Sequence, residues 1–188
     1  MRGLTPGEIA LVQSVFGDQV DYRKIRVTNK KVIPFFQGKD CAAARGNRLS
    51  FPALNYSDDF SLEKDPRKQS VFIHEMVHVW QHQNGLFLAW LAIKENLRCA
   101  FNYQSTYRYN LDPDKPLGKY NFEQQAAIVQ DYFLLIRHGV AQSYKNRRMS
   151  KNDDLATDYS KTIGTALPIT RLHGFSADDK PSGPAPAA

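Results

Sequence analysis

Cysteine is nearly missing from this sequence. Cys41 and Cys99 are the only two. They form no C-x-x-C pair and no disulfide framework, so they read as buried or free thiols rather than zinc ligands. Long hydrophobic runs are also missing. A membrane-spanning helix needs roughly 18 consecutive apolar residues. The longest apolar-rich stretch here, Leu86 to Ile93, is far shorter. The opening Met1-Arg-Gly-Leu-Thr-Pro-Gly-Glu has no apolar h-region. A classical secretory leader is therefore not expected. The expectation is a protein that is cytoplasmic when made and, if it is exported, leaves by another machine. There is no internal repeat. Acidic residues fall short of basic ones, 19 against 25, for a net charge of +6. That excess permits weak attraction to anionic polymers, cell-wall material or nucleic acid among them. No nucleic-acid-binding motif accompanies it, so nucleic acid is not an expected partner.

What is present fits one folded domain. A chain of 188 residues can bury a proper core. Hydrophobic content of 42% and charged content of 23% are ordinary for a globular protein. The chemistry concentrates in Ser70-Val-Phe-Ile-His-Glu-Met-Val-His-Val-Trp-Gln-His-Gln83. Within it, His74-Glu75-Met76-Val77-His78 reads H-E-x-x-H. On a helix His74 and His78 lie one turn apart on one face, a spacing at which two imidazoles can bind one Zn²⁺. Glu75 is rotated off that axis but stays close, as a base rather than a ligand. Zinc lowers the pKa of a bound water to about 7, which makes a nucleophile available at neutral pH. The flanks Phe72, Ile73, Met76, Val77, Val79 and Trp80 are apolar, so the helix should be buried. Two histidines and a glutamate in a buried helix are unfavourable unless paired or liganded. A core helix whose histidines bond to carbonyls is the plain alternative.

The remaining elements follow from local signals. Thr5-Pro6-Gly7-Glu8 opens a helix with a capping box, and Gly17 stops it. Tyr22 to Asn29 reads as a strand, and Arg48 to Phe51 as a second one ended by Pro52. Val32 to Phe36, interrupted by Pro34, reads as an edge strand or loop. Gly38 to Asn47 reads as loop. Asp65-Pro66 starts the motif helix, which runs to about Gln83 and stops at Asn84-Gly85. A further helix is expected from Leu86 to about Ala100. Phe101 to Tyr120, with Tyr103, Tyr107, Tyr109 and Tyr120, reads as a long loop. Asn121 caps a helix that continues to Gly139, with Gln124 completing the cap. The run from Tyr144 to Asp154 reads as a solvated surface. The domain is placed at residues 1–145, a C-terminal extension at 146–178, and a disordered tail at 179–188.

A catalytic zinc takes three protein ligands and keeps one position open. His82 is eight residues from His74, about 12 Å along a straight helix, so one ion cannot bridge them. The metzincin pattern fails because Gln81 stands where its glycine should be. A glutamate from a later helix remains, as in His₂Glu sites. Glu95, Glu123 and Asp131 are the downstream carboxylates on expected helices. Glu123 fits best. It lies in the first turn of the Asn121 helix, and the small pair Ala126-Ala127 allows that helix to approach closely. Asp131 is expected to orient His74 or His78 by a hydrogen bond to the ring. Tyr107, Arg108, Tyr109 and Tyr120 are candidates to stabilise an oxyanion, Tyr107 and Tyr120 foremost.

Leu4-Thr-Pro-Gly-Glu-Ile-Ala-Leu11, Ser14-Val-Phe-Gly17, Phe72 to Gln83, Tyr107-Arg-Tyr109 and Tyr120-Asn-Phe-Glu-Gln-Gln-Ala126 together resemble a bacterial family of small zincin-like proteins. These are labelled Vgr-related or Rhs-type secretion proteins. The resemblance spans roughly residues 4 to 137. It implies an α+β, zincin-like fold, mainly helical, with a small N-terminal sheet beside the metal-binding helix. It implies association with a type VI secretion system, and a secretion component or an immunity protein as partner. The family's E-Q-Q segment falls on Glu123-Gln124-Gln125 and supports Glu123. Two functions are then expected to compete. One is a Zn²⁺-dependent peptidase or amidase acting on a peptide or peptidoglycan-like substrate. The other is an interaction protein that keeps the scaffold without turnover.

Overall fold

Two capped helices carry the site, and their ends follow from side-chain chemistry. The computed structural model describes residues 1–31, 41–52, 55–86, 107–139, 155–164 and 166–168. Expectations for Val32 to Phe36, for the helix from Leu86 to Ala100 beyond its first residue, with Glu95 and Cys99, for Tyr103, for the run from Tyr144 to Asp154 and for the tail lie outside them. Helix α1, Pro6–Phe16, has the expected capping box between Thr5 and Glu8 and ends at Gly17 in a positive-φ conformation. Helix α2, Pro66–Gln83, is capped by the Asp65 side chain on the Arg67 amide and closes at Asn84. Helix α3, Phe122–His138, has a reciprocal cap between Asn121 and Gln124 and a left-handed Gly139 at its end. A further helix, α4, spans Leu155–Ile163. Its start and length were not legible in the charged run that precedes it. It lies inside the segment set apart as an extension, yet Tyr159, Ile163 and Leu167 join the common core.

The sheet is small. Strands β1, Arg26–Thr28, β2, Ala43–Arg45, and β3, Arg48–Ser50, lie in the order β1-β3-β2. β1 runs parallel to β3, and β2 antiparallel. The strand expected over Tyr22 to Asn29 is thus shorter. Tyr22–Lys24 forms a 3₁₀ turn because the Asp21 carboxylate accepts from the Arg23 amide. β2 falls inside the stretch expected as loop, Gly38 to Asn47, and its Ala-Ala-Arg carries no β-branched residue. The hairpin follows from Gly46-Asn47, a two-residue connection with Gly46 at φ 60°. Val27, Ala44 and Leu49 point from the sheet into the core.

Helix α2 is the centre of the molecule. Every residue from Phe72 to Gln81 is buried. Phe72 stacks on Phe60 with ring centroids 4.7 Å apart, and Phe51 lies 4.5 Å from Phe60. The chain's start is fastened to this core by one carboxylate. Glu8 is fully buried and accepts from Arg2 at 2.7 and 2.8 Å, from the Thr5 amide at 2.9 Å and from the Phe60 amide at 3.0 Å. Removing it strands a guanidinium and two amides. Glu8→Ala should therefore destabilise the fold by about 3 kcal/mol, at the low end for breaking a buried pair. Urea unfolding measures this, with the exposed Asp58→Ala as a near-neutral control.

Candidate metal centre

Helix α2 presents His74 and His78 one turn apart, and α3 brings Glu123 up to both. Glu123 Oε2 lies 3.4 Å from His74 Nε2 and 3.2 Å from His78 Nε2. The three ligand-capable atoms all fall within 4.8 Å of one another, and all three residues are buried. Two imidazole nitrogens and a carboxylate oxygen converging on one point make a donor set that fits a divalent ion. The first turn of α3 supplies the carboxylate as expected. Ala126 and Ala127 are both buried in the core.

The electrostatics are those of a buried charged cluster. Burial works against the His78 imidazolium, but the adjacent Glu123 carboxylate, helped by Glu75, outweighs it and holds the group up at about 9. Burial likewise works against the Glu123 carboxylate. His78 and His74 outweigh it, and the carboxyl stays well below its usual range. A metal ion can replace the proton that His78 otherwise carries.

The other expected residues divide. Glu75 is 7% exposed and has no hydrogen bond or ion pair among the described residues. Tyr107 is half-buried with its ring centroid 5.8 Å from that of His74. Tyr120 is turned elsewhere: its hydroxyl donates to the Asn110 carbonyl and accepts from the Asp112 amide, both at 3.0 Å. Arg108 is exposed, and the Tyr109 hydroxyl donates to Asp131 Oδ2 at 2.5 Å. Asp131 therefore holds a tyrosine, while the Nδ1 atoms of both imidazoles face glutamines. His74 Nδ1 lies 2.9 Å from Gln130 Oε1, and His78 Nδ1 lies 2.9 Å from Gln81 Oε1. The reason is helical spacing. Gln130 follows Glu123 by about two turns and shares its face, whereas Asp131 is rotated about 80° away from Glu123. His82 lies against the Gly46 turn, away from the cluster. Gln130 and Gln81 were missed, though the two-turn interval from Glu123 would have pointed to the first.

The fold and the cluster define an α+β protein with a buried His₂Glu constellation suited to a metal ion. No family model matches the chain. It is 43% identical over 134 residues to the type VI secretion system spike protein VgrG2b of Pseudomonas aeruginosa strain PAO1. That match takes in 71% of this chain but spans 13% of the spike protein. It is similar in structure to the effector domain of Pseudomonas aeruginosa VgrG2b, with a TM-score of 0.63 and 40% identity over 73% of this chain and 76% of that one. The chain belongs to the family of the VgrG2b effector domain.

The His78–Glu123 pair should leave a signature in the metal-free protein. The His78 proton is held more tightly in the folded chain, at about 9 against an ordinary 6.5. Its contribution to stability is complete below about pH 6.5 and fades as the pH rises through 9. Urea unfolding in chelator between pH 6 and 9.5 should show that decline. Glu123→Gln should flatten it.

Proposed function

We propose that this protein is a zinc-dependent peptidase or amidase with a zincin-like, gluzincin-type site, delivered as an effector by a type VI secretion system. One observation carries the reading: His74, His78 and Glu123 converge within 4.8 Å, with Glu75 next in sequence to the first of them. Kinship with the VgrG2b effector domain supports delivery by that route. In this reading His74, His78 and Glu123 hold Zn²⁺. Zinc, when bound, polarises the scissile carbonyl and acidifies the attacking water. Glu75 takes the proton from that water as its oxygen attacks the carbonyl carbon. It returns the proton to the nitrogen as the C–N bond breaks. Glu75, of low exposure and with no hydrogen bond or ion pair to a described residue, keeps its carboxylate available for this transfer. In this reading Tyr107, whose ring centroid lies 5.8 Å from that of His74, stabilises the developing oxyanion.

In this reading the substrate's chain lies along the 108–124 segment. A cavity of about 510 Å³ is lined by Arg108, Tyr109, Asn110, Lys115, Tyr120 and Gln124. Arg108 follows Tyr107 in sequence, and Gln124 follows Glu123. The walls are mostly polar and suit a peptide or peptidoglycan-like chain. Tyr120 serves there as a wall.

Metal content by mass spectrometry, on protein purified without a metal-affinity tag, tests the ligands. The wild type should carry about one zinc per chain. His74→Ala, His78→Ala and Glu123→Ala should lose most of it, and His82→Ala should keep it. Glu75→Gln should retain zinc while losing hydrolysis of peptide and peptidoglycan substrates, together with toxicity. Full activity in Glu75→Gln would rule out the proposed chemistry. A zinc-loaded wild type inert on all such substrates would instead favour an interaction protein built on the same scaffold.

A further inference from the structure

We propose that Gln81 and Gln130 are positioning residues that fix both histidines in the one tautomer able to bind a metal through Nε2. The hydrogen bonds can be followed outward until each ends on a group of fixed polarity. Gln81 Nε2 faces the Phe122 carbonyl at 3.1 Å and Gln125 Oε1 at 3.0 Å. A carbonyl only accepts. The Gln81 amide nitrogen must therefore point there, and its oxygen must point at His78 Nδ1. Gln125 is set in the same way, because its Nε2 donates to the Tyr120 carbonyl at 2.8 Å. On the other side, Ser70 Oγ donates its single proton to the Arg67 carbonyl at 2.9 Å. It can then only accept from Gln130 Nε2, 3.1 Å away. That leaves Gln130 Oε1 facing His74 Nδ1.

Both imidazoles meet an acceptor at Nδ1, so each must carry its proton there. The Nε2 atom of each is left facing Glu123. Ser70, Gln81, Gln125 and Gln130 are all buried, so bulk water does not compete for these bonds. The partners are neutral amides. They orient the rings without adding a further buried negative charge to a pocket that already holds Glu75 and Glu123. Gln81 has a second effect. It joins the ring of one ligand to the first turn of the helix that carries another, and so sets the distance between His78 and Glu123.

The consequence for Zn²⁺ rests on the zinc reading above, but the tautomer does not. Long-range ¹H–¹⁵N spectra of the metal-free protein, recorded above pH 9 where His78 has given up the second proton it holds beside Glu123, should show hydrogen-bonded Nδ1 protons on His74 and His78. Gln130→Met keeps the bulk and removes the acceptor. It should abolish the His74 signal and weaken Zn²⁺ binding about 10- to 100-fold, the usual scale for the partner of a ligating histidine. Gln130→Glu should restore the signal and bind Zn²⁺ at least as tightly as the wild type. Gln81→Met should act likewise on His78. Should that variant fail to fold, the wild-type spectrum and Gln130→Met carry the test alone. Absence of the Nδ1 protons in the wild type, or wild-type signals and affinity in Gln130→Met, overturns the assignment. Nδ1 protons present in a wild type that takes up no Zn²⁺ would uphold the relays and sink the zinc reading.

Discussion

The carboxylate of Glu123, buried between two imidazoles, is the constraint on which the rest of the structure depends. A negative charge held 6% exposed must be compensated in place, and its partners come from a helix 49 residues earlier in the chain. Compensation works only if α2 and α3 meet in one register. The polar contacts along their seam record that register. Gln69 meets His138, Ser70 meets Gln130, His74 meets Gln130 and Glu123, and Gln81 meets Gln125 and the start of α3. Residue numbers rise along one helix as they fall along the other, so the two run antiparallel. A slip of one turn would leave the carboxylate, two imidazoles and three amides facing apolar neighbours. Apolar packing holds the helices together, while this seam selects a single arrangement.

The caps serve the same end. Asn121 and Gln124 bond each other's backbones, so α3 begins at Phe122 and Glu123 falls in its first turn. There the free amides of the helix favour a carboxylate before any histidine is considered. Asp65 and Pro66 likewise set where α2 starts. These are short-range rules, which is why the three long helices and the convergence of His74, His78 and Glu123 could be read from residues alone. The stop at Gly139 was equally plain, because a left-handed residue closes the helix there.

What could not be read is set by longer-range geometry. The choice between Gln130 and Asp131 as the partner of His74 is a matter of about 100° on one helix. Asp131 is the partner expected from sequence, yet helical phase puts the Gln130 amide there. The order β1-β3-β2 depends on which strands meet after the chain has folded. Strands of three residues carry too little alternation to announce it. Tyr120 is a candidate oxyanion group from sequence because it belongs to the tyrosine-bearing loop that ends at residue 120. Its hydroxyl is instead committed to the backbone of the preceding loop at Asn110 and Asp112.

Asp131 carries the fold's effect on the site into the C-terminal part of the chain. It accepts the Tyr109 proton, so the 2.7 Å contact between the Tyr109 and Tyr159 hydroxyls must be donated by Tyr159 of α4. Burial, with Asp131 alongside, pushes the Tyr109 phenol up and keeps it neutral. Thr162 adds a bond to the Asp112 carbonyl at 3.0 Å. Helix α4 therefore grips the 107–112 segment at two points. Tyr107, at one end of that segment, faces His74. The boundary at residue 145 separates lengths of sequence, but the hydrogen bonds cross it. The position of an aromatic ring beside the cluster depends in this way on a helix with no residue in the cluster. Asp131 is buried on the same helix as Glu123, and each carboxylate organises a different side of that helix.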